Sequence, residues 1–475
     1  MTTANEVDAL TRRRFLIAGT ATIAGMGTTR CRRAPQRADV IVLGAGLAGL
    51  MAARTLVDAG LTVIVLEARD RPGGRIVTLS DLPGQPEAGG TQISSTYRRF
   101  VDLATRFGVP LREDAPMRRD EPEFWISLQN EVIRTEQWPE HPRNPFTGPL
   151  AGRPPWSLPF AAMARNNPLP DVGSWKDPGY AHHDISLGEH LGWSDEQLRL
   201  AYGINPGYGP NAQSQSALMW FQIMKAIAVP GGKLLTVTGG NDRLPKAVAE
   251  SLGERIQYGR EISRVDVDDK GVQVWSADGE SYVAPHAICT LPTSAIRRLA
   301  LQAPLSTQQR EGIESLNYNR VVRAYFVPTR PFWETDRLPP SIWSDSLAGR
   351  AFALRGNGDE TITMIQCFIT GPAALKLDGM TATASLSAVR SSLEQIRPAC
   401  KGALQPAGIV SWGKDRWAGG AYACWQPGQI QRFANAVEQP AGRLQFAGEH
   451  TARFSRGIEG ALESGERTAA AIIAA

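Results

Sequence analysis

Residues 39–75 constrain this chain more than any other part of the sequence. They begin with an apolar run, 39–43, which leads through a Gly-X-Gly-X-X-Gly turn into a helix-forming stretch, 47–58. A second apolar run, 63–66, follows and ends on the acidic Glu67. A strand, a glycine turn, a helix and a second strand ending in an acid form the pattern of a dinucleotide-binding βαβ unit.

The glycines of this turn have separate physical tasks. Gly44 permits the tight turn, Gly46 lets the backbone approach a pyrophosphate, and Gly49 lets the helix pack against the strand. The helix N-terminus offers free N–H groups and a partial positive charge to phosphates. Glu67 can accept hydrogen bonds from both hydroxyls of an adenosine ribose. This unit therefore predicts a site for NAD or FAD.

The basic excess of the chain lies in its first 37 residues. The whole chain has 51 Lys and Arg against 47 Asp and Glu, but residues 1–37 contain seven Arg and only two acids. The remainder carries a net charge of −1, so the composition gives no reason to expect nucleic-acid binding. No run of about 18 apolar residues is present, so no membrane span is predicted.

The same leader has the pattern of a twin-arginine export signal. Residues 11–16 read Thr-Arg-Arg-Arg-Phe-Leu, and a mildly apolar stretch, 17–26, follows. Such signals export folded proteins, which predicts a periplasmic or secreted location. A merely basic tail and lipid attachment at Cys31 are the alternatives, and no clear cleavage site is visible.

The five cysteines and the histidines do not form a metal-binding pattern. The cysteines are scattered without a C-x-x-C pair, so no metal site is predicted. Cys289 and Cys367 lie in apolar, strand-like runs and are expected to be small core residues. One disulfide after export is left open. His182 and His183 are adjacent and are interpreted as loop or surface residues.

The middle of the chain has a different amino-acid composition. Residues 116–180 are rich in proline with interleaved tryptophans, which predicts an ordered, loop-rich wall over an active site rather than a linker. Periodicity predicts helices over 185–202, 214–227, 384–396 and 457–475, and strands over 260–267, 271–276, 281–291, 321–327, 361–369 and 444–447. The segment 236–245 opens a further predicted helix, which continues through Leu252.

Four motifs in order make a more specific match. They are the glycine turn, Arg-Pro-Gly-Gly-Arg at 71–75, the segment 239–245, and a Gly-Glu turn at 448–449 followed by Gly-Ala at 460–461. Together they resemble the flavin-containing monoamine oxidase superfamily, which includes amine, polyamine and L-amino-acid oxidases. The resemblance covers residues 38–475. It implies noncovalent FAD and an α/β fold, with a Rossmann-like FAD-binding domain and an interleaved α+β substrate-binding domain.

The resemblance also implies how the chain is divided. After the export signal, 1–37, the FAD-binding domain is expected to be discontinuous, and the substrate domain is expected to be inserted into it. The expected FAD-binding segments are 38–114, 231–292 and 403–475, and the expected substrate segments are 115–230 and 293–402.

Individual roles are carried over position by position. The residues expected to hold the ADP half and the phosphates are Gly44, Gly46, Gly49, Glu67, Arg69, Gly74 and Arg75. The resemblance assigns Ile262 to adenine through its backbone, Gly448 and Glu449 to the ribitol or phosphate region, and the backbone of Ile458 and Glu459 to the pyrimidine edge. Trp412 and Trp417 resemble the aromatic pair beside the isoalloxazine, and Tyr422 resembles one wall of the substrate cage.

Two departures from the family concern the flavin tether and the cage. Animal monoamine oxidases have a flavin-bonded cysteine directly before the cage tyrosine, where this chain has Ala421, so the resemblance implies a noncovalent cofactor. Cys424 is too far along the chain to substitute. The second cage wall, usually Tyr or Trp, is replaced by Gly457. The missing ring predicts a wider pocket and room for a bulky amine.

Two further departures concern charged residues. Amino-acid oxidases of the snake-venom type carry a carboxylate-binding arginine where this chain has Gln92, which favours amines over amino acids. Family members often place a lysine near flavin N5, where this chain offers only Arg297 and Arg298. Arg298 is the candidate for that place, although its charge is permanent. Tyr422, Trp417, Gly457 and Arg298 are thus the candidate catalytic residues.

The resemblance implies FAD-dependent oxidation of an amine C–N bond to an imine at flavin N5. The imine hydrolyses to an aldehyde or ketone, and electrons pass to O2, giving H2O2, or to a periplasmic acceptor. A water-poor aromatic pocket favours the neutral amine by desolvation. An L-amino-acid oxidase and a flavoprotein that does not oxidise amines, such as a desaturase-like enzyme, remain alternatives. A homodimer is left open.

Overall fold

The computed structural model describes residues 34–113, 124–204, 206–227, 231–356 and 361–475. Nearly all of the expected export signal, with Cys31, lies outside these residues. In the part of the chain that the structure describes, no helix is both long and apolar enough to cross a membrane.

A five-stranded parallel sheet forms the first layer. In spatial order its strands are Ile256–Gln257, Val63–Leu66, Val40–Leu43, His286–Cys289 and Leu444–Phe446. Strands from the start, middle and end of the chain thus meet in one sheet, as in the Rossmann-like fold that was expected.

Two helices pack closely on this sheet and on each other. The first is Leu47–Asp58, with the predicted bounds, and the second is Gly457–Ile473. A Cβ at Gly49 would overlap the carbonyl oxygen of Gly44, and a Cβ at Gly465 would overlap that of Ala48. Glycine at these two positions therefore sets the distance between helix, turn and helix.

A seven-stranded sheet forms the second large layer. In spatial order its strands are Leu404–Ser411, Val321–Pro328, Ile362–Thr370, Arg350–Arg355, Ser341–Ser344, Phe124–Leu128 and Glu131–Ile133. The buried side chains of Val322, Ala324 and Phe326 join the apolar core that includes the helices Gly371–Asp378 and Ala382–Ile396. Alternate residues of the same strand face the opposite way.

The smaller sheets complete the scaffold. A second five-stranded sheet has the order Gln36–Arg37, Ser281–Ala284, Val272–Ser276, Ile262–Val267 and Ala300–Gln302. A three-stranded sheet has the order Ile93–Ser94, Leu234–Val237 and Leu111–Glu113, and two-stranded pairs join Val77–Thr78 to Glu87–Gly89 and Asn317–Tyr318 to Ala423–Cys424.

Two strand pairings shift the expected domain limits. Ala300–Gln302 pairs with Ile262–Val267, so the second five-stranded sheet extends beyond residue 292. Leu404–Ser411 pairs with Val321–Pro328, so the substrate-side sheet extends beyond residue 402. The two sheets thus cross the expected limits by about ten residues, and the composition of the chain does not show which partner a strand pairs with.

The remaining α-helices are Arg98–Arg106, Leu158–Ala164, Leu187–Leu191, Asp195–Leu198, Ala217–Ile227, Arg243–Leu252, Thr293–Ile296, Thr307–Ser315 and Phe332–Asp336. The single helix predicted over 185–202 is wrong. Gly192 adopts the left-handed conformation, with φ +61°, and ends one helix, and the Ser194 side chain caps the next. Within the proline-rich segment, Trp138 and Trp175 are buried, as expected for an ordered wall.

The described cysteines are buried and free. Cys289 and Cys367 lie in two different apolar cores, as expected from their strand-like surroundings. Burial raises the pKa of the Cys289 thiol to about 12, so it stays protonated and unreactive at neutral pH.

Candidate active site

A cavity of about 520 Å³ opens where the strands of the parallel sheet end. Gly44, Glu67, Thr290 and Gly448 line it, and each follows closely on one of four neighbouring strands. The carboxyl edge of a parallel sheet is where folds of this kind bind their ligands, because the turns there present backbone N–H groups and helix N-termini.

The glycine turn gives one end of the cavity the shape of a phosphate site. Gly44 has φ +102°, and its N–H donates to the carbonyl oxygen of Leu66, at the end of the neighbouring strand. Gly46 caps the helix at φ −71°, and no atom lies within 4 Å of where its Cβ would be. Leu47 and Ala48, in the first turn of the helix, line the same space. The turn therefore leaves room for a phosphate against free N–H groups.

Glu67 is fixed in place by the backbone around it. Its carboxylate accepts hydrogen bonds from the N–H of Ala45, at 2.8 Å, and from that of Arg69, at 2.9 Å. The side chain is only 4% exposed and lines the cavity. These bonds hold the carboxylate at the cavity, where the sequence predicts a ribose.

Arg69 and Trp417 form a unit at this end of the cavity. The Arg69 guanidinium bonds to Asp415 at 2.7 Å and lies over the Trp417 ring, 5.1 Å from its centroid. The contact places Trp417 beside Arg69, the arginine expected at the ADP half, so Trp417 as a catalytic residue stays a prediction. The spacing within the motif could not show this, because the position of Trp417 depends on the remote Arg69.

Arg298 also lies elsewhere than expected. Its guanidinium donates to the carbonyl oxygen of Arg416, and Arg416 in turn pairs with Glu261 at 2.5 Å. Glu261 directly precedes Ile262, the residue expected at adenine, and all four line the cavity. Arg298 is thereby held beside the residues expected at adenine, whereas the resemblance assigned it to flavin N5. The forked guanidinium of arginine, unlike a lysine ammonium, reaches the Arg416 carbonyl, and this bond fixes the orientation of the side chain.

Arg75 ties the first fingerprint to the end of the chain. Its guanidinium donates to the carbonyl of Ala421 and to Glu449, the latter at 3.2 Å, and lies over the Tyr318 ring. Glu449 also accepts from the N–H of Ala423 at 3.0 Å. These contacts place the Gly74–Arg75 motif, the Gly448–Glu449 turn and the residues before Tyr422 around one part of the cavity.

An aromatic wall bounds the other end. The Tyr422 hydroxyl donates to the carbonyl of Gly207 at 2.5 Å and accepts from the Asn319 amide at 3.1 Å. The Tyr208 ring lies 4.7 Å from the Tyr422 ring, inclined at 54°. A substrate held between two rings needs them about 7 Å apart, since each contact takes about 3.5 Å. The two tyrosines therefore form one wall and do not form a cage.

Gly457, the residue expected at the second cage wall, has open space beside it. The residue lines the cavity, and no atom lies within 4 Å of where its Cβ would be. Its φ of +54° is a conformation that favours glycine. The missing ring thus coincides with open space, and the backbone there suits glycine in particular.

Comparisons with known proteins agree with this geometry. A family model described as flavin containing amine oxidoreductase matches residues 47–473. The chain belongs to this family. Human flavin-containing amine oxidase B is 27% identical over 467 residues, which cover 92% of this chain and 86% of that protein.

Solved structures of similar proteins share the fold of this oxidoreductase. A putrescine oxidase bound to putrescine has a TM-score of 0.73 at 22% identity, covering 93% of this chain and 100% of that one. The cyclohexylamine oxidase of Brevibacterium oxydans has a TM-score of 0.76 at 22% identity, covering 92% and 99%. At these identities the likeness establishes the Rossmann-like flavin-binding fold with its substrate domain.

Trp412 packs on a segment that lines the oxidoreductase cavity. Its indole N–H donates to the carbonyl of Ala88 at 2.9 Å, and its ring would be 2.7 Å from a Cβ at Gly89. The next residues, Thr91 and Gln92, line the cavity. Trp412 is thus placed at the cavity as predicted, and it fixes this loop.

Ile458 and Glu459 take different directions. Ile458 lines the cavity, whereas the Glu459 carboxylate accepts from the backbone N–H groups of Arg99 and Phe100. These groups begin the helix Arg98–Arg106, so the side chain of Glu459 serves as a helix cap outside the cavity lining. Only its backbone remains a candidate for cofactor contact.

The histidines supply no catalyst. His450 is 3% exposed, and burial lowers its pKa to about 4, so it is neutral at physiological pH and serves as a packing residue. His182 and His183 lie against each other, with ring centroids 4.0 Å apart. No group of three ligands able to hold a metal exists among the described residues.

Proposed function

We propose that the oxidoreductase binds FAD without a covalent link. The open space at Gly46 and the held carboxylate of Glu67 suit a pyrophosphate and a ribose. Ala421 has no atom that can bond to a flavin. Cys424 is buried, and its Sγ points to the Tyr422 carbonyl at 3.8 Å. Burial raises its pKa to about 12, so it is a poor nucleophile.

We propose that the reaction is oxidation of an amine C–N bond to an imine, which water converts to an aldehyde or ketone. The observation that carries this proposal is the tyrosine wall of Tyr208 and Tyr422 at the end of the flavin cavity. The flavin supplies the acceptor for the hydride of the amine carbon. O2 or another acceptor then takes the electrons.

The protein's part is to bind, orient and desolvate the amine. Burial raises the pKa of Tyr97, Tyr208 and Tyr422 above that of free tyrosine, so all three stay protonated and none acts as a base. The amine must therefore lose its own proton on entering, which desolvation in an aromatic pocket favours. Aromatic faces also attract an amine that enters as a cation.

The test uses purified holoenzyme and a panel of primary and secondary amines. The expected result is an aldehyde or ketone in step with H2O2, or with reduction of an artificial dye if O2 is a poor acceptor. Acid precipitation is expected to leave the yellow flavin in the supernatant. A yellow pellet would contradict the noncovalent cofactor, and absence of any carbonyl product would contradict the reaction.

The open side at Gly457 predicts a preference for wide amines. Gly457→Trp is expected to lower kcat/KM for bulky amines at least about tenfold relative to slender ones, because the ring fills the space opposite Tyr422. Gly457→Asn is the matched control, since asparagine accepts the positive φ without a large side chain. Equal relative kcat/KM values for both variants across a size series would show that this space does not select the substrate.

A further inference from the structure

Arg323 presents a guanidinium to the substrate side of the cavity. It lies on the strand Val321–Pro328, on the face opposite to Val322 and Ala324, which are in the core. Its register partner is Phe368, and its guanidinium lies over that ring at 5.1 Å. Both residues line the cavity. The charge is therefore carried in by the substrate sheet, separately from the arginines of the cofactor end.

Every hydrogen bond of this guanidinium goes to a neutral acceptor. Two run at 3.2 Å, to the carbonyl of Glu87 and to the side-chain oxygen of Gln366, and a longer one runs at 3.5 Å to the Thr91 hydroxyl. Its Nε is buried without a partner. A guanidinium has five N–H donors, and carboxylates match its fork best.

Four other arginines of the cavity differ in this respect. Arg69, Arg75, Arg260 and Arg416 are each paired with a carboxylate. Arg298, like Arg323, bonds to a neutral carbonyl, but that carbonyl belongs to Arg416, beside the residues expected at adenine. Among the described residues, Arg323 has no ion pair. A cation that is partly removed from water and lacks a counter-ion is costly, unless a ligand supplies the opposite charge.

The nearest carboxylate does not fill this role. Arg323 bonds to the main-chain carbonyl of Glu87, while the Glu87 carboxylate accepts from Asn241 N–H, at 2.7 Å, and from the Thr78 hydroxyl. That carboxylate is thus engaged elsewhere. The loop after it carries Thr91 and Gln92 along the cavity, which places the guanidinium at the edge of the space for a substrate.

We propose that Arg323 binds a carboxylate on the substrate, so that the amine oxidised belongs to an amino acid. This inference rests on the proposed amine oxidation and names its substrate class. The tyrosine wall and Arg323 then bind different parts of one molecule. Arg323 is a specificity-determining residue, and it takes no part in the transfer of hydride.

The first experiment compares pairs of substrates that differ only by a carboxylate. Phenylalanine is compared with phenethylamine, leucine with isoamylamine, and 4-aminobutyrate with butylamine. The wild-type holoenzyme is expected to prefer the carboxylate member of at least one pair by about 10- to 100-fold in kcat/KM, the range of one charge-assisted hydrogen bond or ion pair. The α-amino and 4-amino pairs distinguish a carboxylate next to the amine from a distant one.

The second experiment uses binding alone. Benzoate and hexanoate carry a carboxylate but no amine, and they are titrated against the oxidised holoenzyme while the flavin absorbance is followed. Arg323→Gln is expected to abolish both this binding and the substrate preference, and Arg323→Lys is expected to retain part of each. Tyr325→Phe is the matched control, because the Tyr325 hydroxyl donates to the same Glu87 carbonyl, at 3.0 Å, without lining the cavity.

Three outcomes would overturn the inference. The wild type could oxidise simple amines as well as their carboxylate partners and bind neither acid. Arg323→Gln and Tyr325→Phe could have equal effects, which would mean that Arg323 only braces the loop. Arg323→Gln could weaken flavin binding while the carboxylate preference is unchanged. Failure of every amine and amino acid to react would instead contradict the proposed function, and it would leave the acid titration as a separate result.

Discussion

Gly49→Ala is expected to destabilise the protein by about 3 kcal/mol and to leave it largely without flavin. The added Cβ would overlap the carbonyl oxygen of Gly44, and it would lie 3.1 Å from the Thr290 hydroxyl. Because the Gly44 atom belongs to the backbone, no rotamer change relieves the overlap, and the helix must move away from the turn. Thermal unfolding of the apoprotein and the flavin content after purification measure the two effects.

Gly46→Ala is the matched control for this substitution. No atom lies within 4 Å of a Cβ at Gly46, so the apoprotein is expected to keep its stability within about 0.5 kcal/mol. The same Cβ would occupy the space assigned to the pyrophosphate, so affinity for FAD is expected to fall at least about tenfold. Normal FAD affinity in Gly46→Ala would show that the phosphates bind elsewhere.

Glu87→Gln is expected to stabilise the protein at alkaline pH by up to about 3 kcal/mol. Burial raises the pKa of the Glu87 carboxyl from about 4.5 to about 7, against the lowering effect of its bonds to Asn241 and Thr78. The protonated form is thus favoured by folding. Its contribution is fully present below about pH 4.5 and is lost as the pH rises through 7. Glutamine keeps the shape of the side chain and does not titrate.

Urea unfolding of wild type and Glu87→Gln at pH 5 and pH 8 tests this expectation. The gap between the two proteins is expected to be small at pH 5 and to widen at pH 8. The charge of Asp242 raises the pKa of Glu87, and that of Arg323 lowers it. Asp242→Asn is therefore expected to reduce the difference in the free energy of unfolding between pH 5 and pH 8, as Glu87→Gln does. An equal gap at both pH values would mean that Glu87 is ionised throughout.

The parts of the fold that were predictable from sequence are those with strict local requirements. The helix Leu47–Asp58 and its glycine turn have the predicted bounds, because Gly44 is required by a positive φ and Gly49 by a backbone contact. The helix predicted over 185–202 was wrong because apolar periodicity continued past Gly192, where the backbone turns left-handed.

The candidate site was less predictable, because remote partners position its side chains. Trp417 packs against Arg69, and Arg298 donates to the carbonyl of Arg416. The spacing of a motif shows neither contact. Tyr208 was missed because it lies in a loop with no regular pattern. Arg323 was missed because only sheet register reveals which side of its strand faces the cavity. The sequence favoured amines over amino acids because Gln92 stands where some relatives carry an arginine. That inference did not take Arg323 into account.

Anaerobic mixing of the oxidised holoenzyme with its substrates tests the central claim most directly. Amines and amino acids of graded size are added one at a time, and the flavin absorbance near 450 nm is followed. The account predicts that at least one of them bleaches the flavin, and that Gly457→Trp slows bleaching by bulky substrates more than by slender ones. A flavin that stays oxidised with every amine and amino acid would contradict the account.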